Sequence, residues 1–192
     1  IGASGAARLS RYESAPTNIS GVEVTVARTD FLGQPSYDLL AGATHCKRIW
    51  QNLQGNGARP VGQEALTTAR VELGLPAYGT ELCEAYNPLE ALLLDYISFT
   101  KGCYVGQEIV TRLNTYKKVQ KFLVGLRWHP ASKPQLPVRL LLKDKQVGVL
   151  TSAAISPIND VGMGLGYVRK AHAKSGVLLD LDSVPEASPV SI

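Results

Sequence analysis

No stretch of this sequence approaches the roughly 18–20 consecutive apolar residues a helix needs to cross a bilayer, and no secretory leader is recognisable in it. Cysteine is scarce. Cys46, Cys83 and Cys103 stand far apart, which gives neither a disulfide framework nor a zinc pattern. His45, His129 and His172 are equally scattered, so no protein-built metal site is expected. His45 and Cys46 are neighbours on a helical stretch and point different ways. Thiols of this kind suit a reducing compartment, so the expected setting is the cytoplasm, or the mitochondrial matrix in a eukaryote. An excess of one charge is missing too: Lys and Arg number 20 against 16 Asp and Glu, for a net charge of +4. The one basic cluster, Arg112, Lys117, Lys118 and Lys121, fits an anionic ligand or a solvated helix face, and a nucleic-acid partner is not expected. There is no internal repeat.

The 192 residues are 45% hydrophobic and 19% charged, a balance suited to a folded globular chain. The opening Ile1-Gly2-Ala3-Ser4-Gly5-Ala6-Ala7 is a poor start for a fold, and the chain is expected to be a fragment. Residues 1–20 are expected as loop, with a short helix around Ala6 to Leu9. Val22 to Arg28 alternates β-branched residues and predicts a strand. Asp30 to Pro35 predicts a turn, and Tyr37 to Leu40 a second strand. Thr44 is expected to cap a helix to Leu53, with Cys46, Ile49, Trp50 and Leu53 as its apolar stripe. Gly62 to Leu73 is expected as a second helix with Ala65, Leu66, Ala69 and Leu73 inward. Both helices are expected to stack on the first sheet. Pro88 suits the start of a short helix, Leu89 to Leu93, and Tyr96 to Phe99 is expected as a strand. From Lys121 onward, five β-like runs separated by turns (121–128, 138–142, 146–153, 162–168 and 176–181) predict a small antiparallel barrel or sandwich. The fold class is therefore α+β, with an α+β region at 1–118, a barrel at 119–192, and a tail, Val184 to Ile192, that is loose or strap-like.

Lys101-Gly102-Cys103-Tyr104-Val105-Gly106-Gln107-Glu108 is the stretch with most chemistry in it. Two glycines bracket a thiol and an aromatic ring. The run from Ile109 to Tyr116 behind them has helical spacing, with Ile109, Val110 and Leu113 on one face and Arg112 beside it. A thiol next to a lysine and ahead of a helix start is placed for activation. The same residues also fit a tight turn with a buried cysteine acting as a small hydrophobe.

This octet resembles the signature of the YgfZ-type folate-binding proteins, relatives of the glycine cleavage T-protein, an aminomethyltransferase. Further similarity lies in Arg28-Thr29-Asp30-Phe31-Leu32-Gly33, in the run from Arg70 through Glu72, Gly74, Pro76, Tyr78 and Gly79 to Glu81, in Asn87-Pro88-Leu89-Glu90-Ala91, and in Gly164-Leu165-Gly166-Tyr167-Val168-Arg169. T-proteins tend to carry an acidic residue at the position of Cys103 and Gly-Lys-Glu at Gly106-Gln107-Glu108, which sets this chain with the YgfZ branch. A departure follows the signature, where Tyr116 to Lys121 lacks the glycine that the branch often has.

The resemblance implies a T-protein-like folate-binding region followed by a C-terminal barrel, with tetrahydrofolate or a derivative as cofactor. It also implies iron–sulfur client or assembly proteins as partners. A carboxylate can accept two adjacent N–H groups of a pterin at once, and the resemblance gives that role to Glu72. Tyr78 would stack on the ring or close the pocket. Lys101 and, as a second anion contact, Arg112 would meet the ligand's tail. Cys103 would be a redox-active or cluster-touching thiol, within a motif completed by Gly102, Tyr104, Gly106, Gln107 and Glu108. One thiol cannot hold a cluster alone. The function implied is an accessory role in iron–sulfur cluster assembly or repair. An aminomethyltransferase and a non-catalytic partner-binding module are the alternatives. Glu72 and Cys103 are expected to face one hollow.

Overall fold

A computed structural model describes residues 8–129, 133–158 and 161–182, and the backbone of 190 and 191. Two compact units divide the chain, Ile1–Gln63 and Glu64–Ile192. The first is a three-stranded antiparallel sheet, β1 (Ser14–Ile19), β2 (Val22–Arg28) and β3 (Tyr37–Leu40), with β2 in the middle. Along β2, Val22, Val24 and Val26 are buried while Glu23 and Thr25 face water, the period-two pattern of a half-buried strand. The first strand was not expected. Ser14-Ala15-Pro16-Thr17-Asn18-Ile19 has little β-propensity, and its proline is tolerated because β1 is an edge. Ser20 and Gly21 join β1 to β2 with φ of 53° and 79°, the left-handed pair of a two-residue hairpin turn. The Asn18 side chain closes it by accepting the Gly21 N–H at 2.7 Å.

The helix of this unit, α1 (Cys46–Gly55), follows a 3-10 turn, Ala43–His45. Thr44 therefore lies inside that turn, and no side chain caps either start. Ile49 is buried with Ile19, Val22, Val24 and Val26, and Leu53 packs beside it. The other half of the expected stripe is corrected: Cys46 and Trp50 are exposed. The expected helix around Ala6 falls largely outside the described residues.

The second unit holds almost all of α2 (Gln63–Glu72). The expectation that both helices cover the first sheet gives way to a division. The buried side chain of α2 is Val71, clustered with Ala91, Leu123, Leu165 and Tyr167 of the second unit, while Leu73 is exposed and Leu66 and Ala69 are half-buried. The expected short helix at Leu89 is a single turn, 88–92. Asn87 Oδ1 accepts the Leu89 N–H at 2.9 Å and Glu90 Oε2 accepts the Asn87 N–H at 3.0 Å, a reciprocal capping box. In place of a strand at Tyr96–Phe99 there is a 3-10 turn, Leu94–Tyr96. α3 (Gln107–Thr115) buries Val110 and leaves Ile109 exposed.

The rest is a curled antiparallel sheet built from β4 (Lys121–Trp128), β5 (Val138–Leu142), β6 (Lys145–Ile155), β7 (Gly162–Arg169) and β8 (Leu178–Leu181) in the order β4-β7-β6-β5-β8. A two-residue strand, β9 (Val190–Ser191), pairs with both β8 and β4. The remainder of the expected tail lies outside the described residues. The boundary expected at 118–120 shows no gap in packing, because the Leu123 N–H bonds the Glu90 carbonyl at 2.8 Å and Leu123 joins the cluster of Val71 and Ala91.

Tight curvature leaves no room for side chains at three alternate positions of β7. A Cβ on Gly162 would run into the Trp128 ring, one on Gly164 would come within 2.5 Å of Leu150 and one on Gly166 within 2.6 Å of the Val149 carbonyl. Beside these, a Cβ on Gly125 would meet nothing within 4 Å. Gly162→Ala should therefore destabilise the protein by about 1–3 kcal/mol through overpacking, and Gly125→Ala should be nearly neutral, as measured by urea unfolding.

Candidate functional site

The sheet of the second unit is tied to the segment before it by one carboxylate. Glu81 is completely buried. Its Oε1 accepts the Thr151 and Ser152 hydroxyls, each at 2.6 Å. Its Oε2 accepts Arg70 Nη1 at 3.1 Å, the Ala77 N–H at 3.0 Å and the Thr80 hydroxyl at 2.8 Å. Arg70 Nη2 donates to the Ser152 oxygen at 2.6 Å, so Ser152 relays between guanidinium and carboxylate. The Tyr167 hydroxyl donates to the Glu81 backbone carbonyl at 2.9 Å.

Successive residues of a regular strand face opposite sides, yet Thr151 and Ser152 both reach one oxygen. A β-bulge explains this: Leu150 pairs with Gly166 and Ser152 with Leu165, leaving Thr151 as the extra residue and turning both hydroxyls to the same side. Burial alone would raise the Glu81 carboxyl, but hydrogen bonds from Ser152, Thr151, Ala77 and Thr80 outweigh it and hold the group below the usual carboxylate range. Burial, reinforced by the Tyr86 ring and by Glu81, pushes Tyr167 far above the usual phenol range, so its hydroxyl stays a donor. Its ring stacks on Tyr86 with centroids 3.6 Å apart, and Lys121 Nζ lies 4.5 Å from the Tyr86 centroid.

On this frame sits a cavity of about 710 Å³, within the range of small-molecule sites. Its walls include Tyr78, Tyr86, Leu82 and Leu93, and its polar groups come from Cys83, Glu84 and Asn87. Tyr78 is almost wholly exposed, so one ring face is free for a ligand. Glu72 lies elsewhere. It accepts the Ser156 hydroxyl at 3.0 Å and lines a separate hollow of about 350 Å³ with Gly125, Arg127 and Gly164. Neither hollow is lined by Lys101, Cys103 or Arg112. The structure thus does not place Glu72 and Cys103 on either of these hollows together.

The signature residues form a turn of their own. Gly106, with φ of 86°, is the N-cap of α3, and the Gln107 N–H returns to the Tyr104 carbonyl at 3.2 Å. Glu108 lies in the first turn of the helix and Arg112 in its last. Cys103 is exposed, which removes the packing role that the sequence left open, and it stands ahead of the cap instead of on it. Lys101 Nζ lies 4.7 Å from the Tyr104 ring centroid, a cation–π contact. The Tyr104 hydroxyl is buried without a hydrogen-bond partner, a costly state for a polar group. Among the described residues no group of three or more His, Cys, Asp or Glu could hold a metal ion.

Residues 4–101 match the family described as the GCVT N-terminal domain. The chain belongs to that family. Among curated members, an aminomethyltransferase of Saccharopolyspora erythraea is 31% identical over 187 residues, 94% of this chain and 51% of that protein. A chloroplastic Arabidopsis thaliana protein named as a transferase is 33% identical over 159 residues, 83% of this chain and 36% of that protein. The crystal structure of the glycine cleavage system aminomethyltransferase T from Bartonella henselae superposes with a TM-score of 0.84 at 18% identity, covering 97% of this chain and 52% of that one, a likeness of fold. The chain thus spans about half or less of the length of these GCVT relatives.

The two ends of the run from Arg70 to Glu81 meet in the fold, a contact that spacing alone does not announce. An arginine and a glutamate closing an otherwise largely apolar stretch were the available signal. Because an unfolded Glu titrates at about 4.3 and the folded one lower, the stabilisation is complete above that value and is lost as pH falls through the folded-state value. Glu81→Gln should cost about 3–5 kcal/mol at pH 7, the loss expected on breaking a buried ion pair. It should also flatten the acid limb below about pH 4, measured from urea midpoints across pH.

Proposed function

We propose that this chain supplies part of a tetrahydrofolate-binding site in a GcvT-like protein that serves iron–sulfur cluster assembly or repair. The observation that carries the folate half is the 710 Å³ cavity with the free Tyr78 ring at its wall. A reduced pterin or its benzoyl ring fits such a site by stacking on Tyr78. Glu84 offers the carboxylate for paired pterin N–H groups, a role first expected of Glu72, which lines a different hollow. Lys101 and Arg112, the expected partners of the anionic tail, do not line this cavity. The curled sheet is read as the family's small barrel, closed through β9.

The iron–sulfur half rests on the resemblance of the signature and on an accessible Cys103 thiol. A single thiol makes any cluster contact transient or shared with a client protein. Bound tetrahydrofolate would supply the acceptor for a one-carbon unit, which is why aminomethyl transfer is the second reading. The names of the relatives favour it, and Cys103 in place of an acidic residue counts against it.

Calorimetric titration with 5-formyltetrahydrofolate should give saturable binding that Tyr78→Ala weakens roughly tenfold and Cys103→Ala leaves unchanged. No binding, or an unaffected Tyr78→Ala, would remove the cavity from the reading. In cells, Cys103→Ala should abolish support of iron–sulfur enzymes. Methylene-tetrahydrofolate formed from an aminomethyl-lipoyl carrier would instead establish the transferase.

A further inference from the structure

The chain closes several helical ends with the same pair of backbone bonds and one left-handed residue. At α1 that residue is Gly57, with the Ala58 N–H on the Leu53 carbonyl, and at α2 it is Gly74, with the Leu75 N–H on the Arg70 carbonyl. Glycine is preferred there because a Cβ crowds the backbone. The turn at 88–92 and α3 break that preference. They place Leu92 (φ 59°) and Lys117 (φ 50°) at the left-handed position, with the Leu93 N–H on the Pro88 carbonyl and the Lys118 N–H on the Leu113 carbonyl.

These two strained residues line the same hollow, of about 340 Å³. Strain of this kind persists where the side chain is needed. The walls are apolar, with Leu89, Leu94, Leu113 and Phe122 among them, and the charged groups in the lining are Lys117 and Lys170. No carboxylate lines it, and among the described residues no ion pair uses either lysine. The capped turn separates this hollow from the larger cavity: Pro88, Ala91 and Leu93 line one, and Leu89, Leu92 and Leu94 the other.

We propose that this hollow binds a small anionic amphiphile, an acyl chain ending in a carboxylate. The chain lies on the leucines and Phe122, and the carboxylate meets the two ammonium groups. Apolar walls with a few convergent polar groups are how small-ligand sites are built, and lysine stems cover apolar surface while their heads stay free to bind. The carbonyl end of α3 puts partial negative charge nearby, so both cations are needed. The site is independent of the folate reading.

Titration of the whole chain with decanoate, decanol and decyltrimethylammonium below their micellar concentrations, followed by amide NMR shifts, tests it. Decanoate should saturate with shifts centred on Leu113, Lys117 and Phe122, bind about tenfold tighter than decanol, and lose about tenfold in Lys117→Gln/Lys170→Gln. Leu92→Gly should raise the melting temperature while weakening decanoate severalfold. Absence of saturable binding, equal affinity for all three amphiphiles, or an unaffected double variant would overturn the proposal.

Discussion

A carboxylate sealed from water is tolerated only when its lone pairs are filled and its charge is matched. Glu81 meets both conditions by drawing donors from three places: the end of α2, the loop around Ala77, and two adjacent hydroxyls of β6. Each donor belongs to an element whose position other features depend on. Arg70 fixes the roll of α2 and so turns Val71 inward. Thr80 and Ala77 shape the loop that carries Tyr78 and Cys83 to the cavity rim. Tyr167 extends the same knot to the ring stack and Lys121. The cavity stands on this knot and on the apolar cluster that holds Leu82, Tyr86, Ala91 and Leu93.

Much of this was legible in the chain. The alternation of β2 and the runs that became β4 to β8 declare themselves because period-two patterning is local. The box at Asn87-Pro88-Leu89-Glu90 is equally local, although the residues behind it sustain one turn and not a helix. What could not be read is what depends on distant partners. The hydroxyls of Thr151 and Ser152 meet a residue 70 and 71 positions earlier, and nothing in a strand sequence marks a bulge. Edge strand β1 hid behind Pro16, and the exposure of Trp50 is not legible because helical spacing cannot say which side of a stripe is covered.

The signature illustrates both sides. Its glycine spacing pointed to a sharp turn into a helix, and Gly106 takes that place. Glu72 and Cys103 belong to separate motifs, and their side chains have different surroundings: Glu72 accepts the Ser156 hydroxyl beside a hollow that Cys103 does not line. The family match is at the level of the GCVT class, and the turn ahead of α3 carries an exposed thiol, Cys103.

The bulge at Thr151 has a bearing on assembly as well as on the finished molecule. A plain strand can slide past its neighbours by two positions and still present the same face, so a curled sheet rich in glycine risks docking out of phase. Here only one alignment brings two consecutive hydroxyls to the buried anion, and every shifted alignment would leave its Oε1 without those donors. The irregularity therefore works as a key cut for one lock, selecting the correct phase of β6 against its near-degenerate competitors.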